Sequence, residues 1–167
     1  MLVFYILFEF AVIGVLLALI IRSVKKIDKT AILVMFFSLA TVATGELINN
    51  FTSKVTVYNP AYILWIPRTD IPVFIICGGV LTSFLLYKGC LAGRKIYLRF
   101  ILLLVFSSLF PLMELAGIGT GLWKWPGNPD INLGWIIGVW KFYFIFIGIP
   151  ALAGIVIEEL TRKKKSH

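Results

Sequence analysis

The chain has 167 residues, of which 60% are hydrophobic and 14% charged, and its 16 Lys and Arg outnumber its 8 Asp and Glu. Soluble domains carry roughly 45–50% apolar and about 25% charged residues, so this composition excludes an ordinary soluble fold and makes lipid the natural solvent. Two cysteines, Cys77 and Cys90, and one histidine, His167, give no C-x-x-C motif and little basis for a metal site, a haem ligand or histidine catalysis.

The first apolar run, residues 1–21, is about 20 residues long, enough to cross a hydrocarbon core. No basic stretch precedes it and no small-residue cleavage site follows, so it reads as a retained helix rather than a signal peptide. It carries Glu9, with Tyr5 one turn away. The second run, 31–51, places Ser38, Thr41, Gly45, Glu46, Asn49 and Asn50 on or beside one face by the i, i+3, i+4 rule. Residues 51–70 then hold Pro60 and Pro67 among Tyr58, Tyr62 and Trp65. Asp70, before Ile71-Pro72, is expected to cap the third helix, 71–88.

The fourth run, 98–118, carries a stripe of Ser107, Pro111, Glu114 and Gly117, continuing to Gly121. Residues 119–133 hold Pro126 and Pro129 with Trp123 and Trp125. The fifth run, 134–157, begins with Trp135 and Trp140 and carries Gly134, Gly138, Lys141 and Gly148. Its Gly-x-x-x-Gly spacing is expected to allow close helix contact. Glu158 and Glu159 are placed to pair at i, i+4 with Arg162 and Lys163. The whole chain, 1–167, therefore reads as a single domain: an all-α integral membrane bundle of about five transmembrane helices.

Twelve of the 16 cations fall in three clusters: Arg22 to Lys29, Lys88 to Arg99, and Arg162 to Lys165. Alternation of the helices puts all three on one side. This is the positive-inside pattern, predicting an outer N-terminus, a cytoplasmic C-terminus and a multi-pass protein of the cell membrane. The basic charge is thus topological, and no nucleic-acid partner is expected. All five tryptophans fall at the opposite face, where the two aromatic segments, 51–70 and 119–133, would form a half-embedded cap. Each half of the chain also repeats one order: helix, glutamate near its outer end, aromatic-then-Pro segment, helix. Such a parallel repeat is known among membrane proteins.

A charge at mid-bilayer costs about 2.5–3.5 kcal/mol, so each needs a reason. Glu9, Glu46, Glu114 and Lys141 lie within roughly 6–12 Å of the outer boundary, at 1.5 Å of rise per residue. They are the candidate catalytic residues, with an ion pair between Glu9 and Lys141 as the structural alternative. Asn49, Asn50, Tyr58, Trp65, Trp123, Trp125 and Trp140 are the candidate substrate-binding residues. Desolvation disfavours an ionised carboxylate, so a neutral Glu46 or Glu114 would hold a proton ready to deliver. Proton transfer to a polyisoprenoid double bond suits this residue set, since aromatic faces stabilise a carbocation. Hydration or cyclisation would follow, with no cofactor and no metal.

The run Glu114-Leu-Ala-Gly117-Ile-Gly-Thr120-Gly121 with alternating Trp123 and Trp125 resembles the E-x-x-G-x-x-T-G and spaced-aromatic signature of membrane-embedded carotenoid-biosynthesis proteins. These are the bisanhydrobacterioruberin hydratase type and, more distantly, the small lycopene cyclases. Val57-Tyr58-Asn59-Pro60-Ala61-Tyr62-Ile63 is similar to the aromatic-x-Pro-x-Tyr-Ile segment of the cyclases. The resemblance implies hydration or cyclisation of a long polyene, a lyase or isomerase activity in carotenoid biosynthesis, with Glu114 as the acid. The alternatives are a non-enzymatic membrane subunit or lipid-binding protein, as a homo- or hetero-oligomer, and a small proton-coupled transporter. The expected partner is membrane lipid or a lipid-soluble substrate.

Overall fold

A computed structural model describes residues 2–53, 56–125 and 130–164. Pro126, Pro129, Lys54, Lys165 and His167 lie outside the described residues. Five helical stretches are long and apolar enough to cross a membrane: Val3–Lys25, Lys29–Thr52, Val73–Cys90, Ile96–Gly119 and Leu133–Lys164. They match the five expected spans, with boundaries shifted by a few residues except at the end of the fifth. The elements are α1 (Leu2–Lys25), α2 (Lys29–Ile48), β1 (Val57–Tyr58), α3 (Val73–Cys90), α4 (Ile96–Ser107), α5 (Phe110–Gly119), β2 (Trp123–Lys124), α6 (Leu133–Tyr143) and α7 (Ile149–Lys164). The fourth span is therefore two helices, broken at Ser108 and Leu109, and the fifth is two helices joined by a π-helical turn, Phe144–Gly148. A second π turn, Asn49–Ser53, ends the second span.

The bundle buries a set of polar side chains within an apolar core and carries large apolar side chains on its outside. Glu9, Ser38, Ser83, Ser107 and Glu114 are buried, whereas Leu7, Phe10, Leu17, Phe36 and Leu104 are exposed. A surface of this kind suits lipid, while Phe84, Tyr87, Phe110 and Ile155 pack the interior around the buried polar groups. α3 is the central post, packing on α1, α2, α4 and α7, and α2 also packs along α7. Where Gly154 of α7 meets α2 and α3, an added Cβ would lie 2.3 Å from a Val34 methyl and 2.8 Å from the Tyr87 ring. Only glycine fits that crossing.

Towards the other end the bundle opens, because the fifth span changes its winding. A π turn carries one residue more than an α turn and shifts the phase of everything beyond it. Pro150, just after, brings no N–H to the carbonyls before it. Neighbouring hydroxyls serve those carbonyls instead: Thr41 Oγ1 donates to Phe146 O at 2.7 Å and Ser83 Oγ to Ile147 O at 3.0 Å. Ser38 Oγ supports Ser83 Oγ at 2.7 Å. Beyond this point α6 packs mainly on α5, and the pair stands apart from α1–α3.

The basic end is tied by buried or half-buried ions. Arg99, buried, donates through Nε to Gly93 O at 2.9 Å and through Nη1 to Glu159 at 3.4 Å. Tyr87 donates to Glu158 at 3.2 Å. Asp28 caps α2 by accepting the Ala31 N–H at 3.0 Å, and pairs with Lys88 at 2.6 Å. Burial alone would raise the Asp28 pKa. The Lys88 hydrogen bond, the Ala31 N–H and the charges of Lys88 and Lys26 outweigh it, and hold the carboxyl below its ordinary value.

At the opposite end the described parts of the two aromatic segments form a cap, built on a two-stranded antiparallel ribbon that pairs Val57 with Lys124 and Tyr58 with Trp123. Asn59 closes it, donating from Nδ2 to Gly121 O at 3.0 Å while its Oδ1 accepts the Ala61 N–H at 3.0 Å, an Asx turn. Two expectations are corrected here. The N-cap of α3 is Pro72, not Asp70, and no side chain caps it. Glu9 makes no ion pair with Lys141. Its carboxylate, fully buried, accepts the backbone N–H groups of Ile63 and Leu64 at 3.0 and 3.1 Å, pinning the cap to α1.

Two measurements test these ties. Glu9→Ala leaves two amide donors unpaired, at about 1–3 kcal/mol each; thermal unfolding in detergent should shift down accordingly, and protease should cut first within residues 59–67. Because the Asp28 pKa is lower folded than unfolded, its contribution is present at neutral pH and lost as pH falls through the folded value. Asp28→Asn should therefore flatten the acid limb of the stability profile while costing stability at pH 7.

Candidate functional site

Glu114 lies in the middle of α5, and the chain folds back just beyond that helix. Thr120 ends the helix and Gly121 takes a left-handed conformation at φ +72°. Leu122 N–H then bonds Gly117 O at 2.9 Å and Gly121 N–H bonds Ile118 O at 3.1 Å. These two bonds make a Schellman cap, which favours glycine at the left-handed position. β2 follows at once. Alternate residues of an extended strand face one side, so Trp123 and Trp125 both turn towards α5. Trp123 Nε1 donates to Glu114 Oε1 at 2.9 Å, and Trp125 Nε1 donates to the same oxygen. Gly117 makes room, since a Cβ there would lie 1.9 Å from the Trp123 ring. The motif noted in the sequence is thus one local device that wraps two indoles onto one carboxyl group. Glu114 Oε2 is bonded by the Tyr143 hydroxyl at the end of α6.

Glu46 is treated in a similar way by the first half of the chain. The π turn after α2 leads into β1, and the Tyr58 hydroxyl returns to bond Glu46 Oε2. Asn49 stands beside the same carboxyl, its Oδ1 accepting the Thr56 N–H at 3.2 Å. Burial raises the Tyr58 pKa far above that of a free phenol, and the adjacent Glu46 carboxyl raises it further, as do Tyr143 and Glu114. Tyr58 is therefore a neutral hydroxyl at any working pH.

Both pairs, Glu46 with Tyr58 and Glu114 with Tyr143, stand on the wall of one cavity of about 650 Å³. That is within the roughly 300–1,000 Å³ of small-molecule sites. Most of its polar side chains, Glu46, Asn49, Tyr58, Glu114 and Tyr143, stand at the cap end. Its deeper wall is apolar, with Val12, Val42, Gly78, Gly79, Phe146 and Ile147. No family model, no curated protein and no solved structure matches this chain.

Of the residues singled out in the sequence, Glu46, Glu114, Asn49, Tyr58, Trp123 and Trp125 line this cavity. Glu9 serves the cap instead. Lys141 is exposed on the outer face of α6. Trp65 donates to Tyr62 O at 2.7 Å within the cap. Trp140 donates to Ser107 Oγ at 3.2 Å and stacks on Phe144, tying α6 to α4. Asn50 is half-buried at the π turn and is not part of the lining. Gly134 and Gly138 are exposed, and nothing lies within 4 Å of a Cβ placed on Gly138, so the Gly-x-x-x-Gly pair makes no close helix contact. The residue that sequence reading missed is Tyr143. Its signal was the i, i+4 run of Val139, Tyr143 and Ile147, which all face the cavity.

The two glycines should respond oppositely. Gly117→Ala forces the Trp123 ring off Glu114 and should destabilise by about 1–3 kcal/mol. Gly138→Ala enters open space and should stay within about 0.5 kcal/mol of the parent. Chemical denaturation in detergent, with near-ultraviolet circular dichroism for the indoles, separates them.

Proposed function

We propose that the chain is a multi-pass protein of the cell membrane, N-terminus outside and C-terminus cytoplasmic, that acts on a polyisoprenoid or carotenoid-like lipid by proton-initiated hydration or cyclisation without a cofactor. The grouping of basic residues at one end of the bundle supports the orientation. The observation that carries the chemistry is the meeting of two carboxyl–phenol pairs on the wall of one apolar cavity. The likeness of the Glu114 to Trp125 run to carotenoid-biosynthesis proteins points the same way.

The hydrogen bonds suggest which atom works. An indole N–H donates and cannot accept, so with two indoles on Oε1 the proton of a neutral Glu114 belongs on Oε2; the Tyr143 hydroxyl, which donates to an ionised Oε2, then accepts from it. In the proposed step that O–H bond breaks, a C–H bond forms at one alkene carbon, and the other alkene carbon becomes cationic. Phe142, Phe146 and Trp125 line the same space and offer aromatic faces to the cation. In hydration, water forms the C–O bond and gives its proton to Glu46. In cyclisation, a neighbouring alkene forms the C–C bond and the adjacent carbon loses a proton to Glu46. Return of that proton to Glu114 closes the cycle, with net addition of water or net isomerisation.

Expression in a polyene-producing host, with chromatography of the pigments, tests this. A new hydrated or cyclised pigment is expected, and Glu114→Gln should reduce it at least about 100-fold, the usual contribution of a general acid. A pigment profile unchanged by the protein and indifferent to Glu114→Gln overturns the proposal.

A further inference from the structure

The cavity lies between two walls, α1, α3 and α2 on one side and the α5–α6 pair on the other. That arrangement leaves two flanks, one where α1 faces α5 and one where α2 faces α6. Tyr5 of α1 reaches Thr120 O at 3.4 Å, which places the start of α1 beside the end of α5. A Cβ on Gly45 of α2 would touch the Phe146 ring at 2.9 Å, which places α2 beside the fifth span. Several lining residues are also exposed on the outside of the bundle, and they divide between these flanks. Phe4, Ala116 and Thr120 belong to the first, and Ile48, Gly138 and Phe142 to the second. A blind pocket has one rim; this cavity has lining that reaches the outside at both.

The width of the second flank has a local cause. Gly138 presents no side chain, and no atom lies within 4 Å of where its Cβ would be. α6 therefore does not close on α2 at this level. On the first flank the exposed lining residues at the α5 end are Ala116 and Thr120, both small, with Phe4 and Phe8 of α1 also in the lining. Each rim therefore pairs large apolar residues, Phe4 on one flank and Ile48 and Phe142 on the other, with small ones that leave room between them.

We infer that the cavity is a passage open to lipid on two opposite flanks, so that one long apolar chain lies across it with its middle, rather than its end, beside Glu46 and Glu114. This rests on the reading of the cavity as an apolar-chain site but not on any reaction there. Length then enters recognition. A chain that spans both flanks needs both open, whereas a chain short enough to sit inside needs only one.

Squalene and the half-length hydrocarbon farnesene, both carrying no head group, serve as probes. Each is equilibrated with the detergent-solubilised protein and counted by native mass spectrometry. Gly138→Phe fills the second flank from open space, and Ala116→Phe fills the first from an exposed site, so neither burdens the packed interior. Each single substitution should lower squalene retention about tenfold, a size set by lost contact and lost preorganisation, while farnesene is retained as by the parent. The double substitution should lose both. Squalene retention unchanged by either single substitution, or squalene and farnesene responding alike, overturns the passage. Failure of the parent protein to retain either probe overturns both the passage and the apolar-chain site. Retention without turnover defeats only the proposed chemistry.

Discussion

A carboxyl group buried among helices must find donors, and the answer given to Glu114 organises half of the molecule. Its two oxygens draw in Trp123, Trp125 and Tyr143, the last 29 residues away in sequence. Those bonds fix where β2 runs, how α6 leans and where the cavity ends. Each donor left unmatched in such surroundings costs about 1–3 kcal/mol, comparable to a large share of a small protein's net stability. Glu46 imposes a lighter version of the same demand through Tyr58. Because β1 and β2 pair with each other, the two demands are met by one shared cap.

The rest of the architecture follows from how the remaining polar groups are settled. Away from the cap, hydroxyls and ions knit α2, α3, α4 and α7 together: Ser38 to Ser83, Arg99 to Glu159, Tyr87 to Glu158. In the cap half, Glu46 is satisfied from the ribbon and Glu114 from the ribbon and its own α5–α6 wall, so neither carboxyl draws the two walls together. The bundle is closed where it is bonded side to side and hollow where it is bonded from above.

Much of this was legible in the sequence. Five apolar runs, separated in turn by basic clusters and by Pro-containing aromatic segments, marked the spans, because length and hydropathy set them. The placement of Glu46, Glu114, Asn49, Tyr58, Trp123 and Trp125 near one depth and one end anticipated their meeting. Glu9 was at the right depth for the wrong reason: its partners are the amides of Ile63 and Leu64, and backbone donors leave no signature in side-chain spacing. Lys141 failed because helical phase was carried unbroken through the fifth run. Gly134, Gly138 and Lys141 lie before the π turn and face outward, whereas Gly148 closes that turn and is buried. An extra residue per turn rotates one side against the other by about 100°, the angle of one α-helical residue. Trp65 and Trp140 were at the expected face, but an indole can brace a scaffold as readily as line a cavity.

The Schellman turn at Gly121 also changes what the Glu114 to Trp125 run stands for. Every fixed position in it has a mechanical reason: a helix stop, a reversal, a gap for one indole, an anchor for two. Such a run is a hinge pattern before it is a catalytic one. A chain could keep it to hold a lid on a bundle after losing any reaction, so conservation of the pattern would trace the scaffold, and only the phenol opposite Oε2 would trace the chemistry.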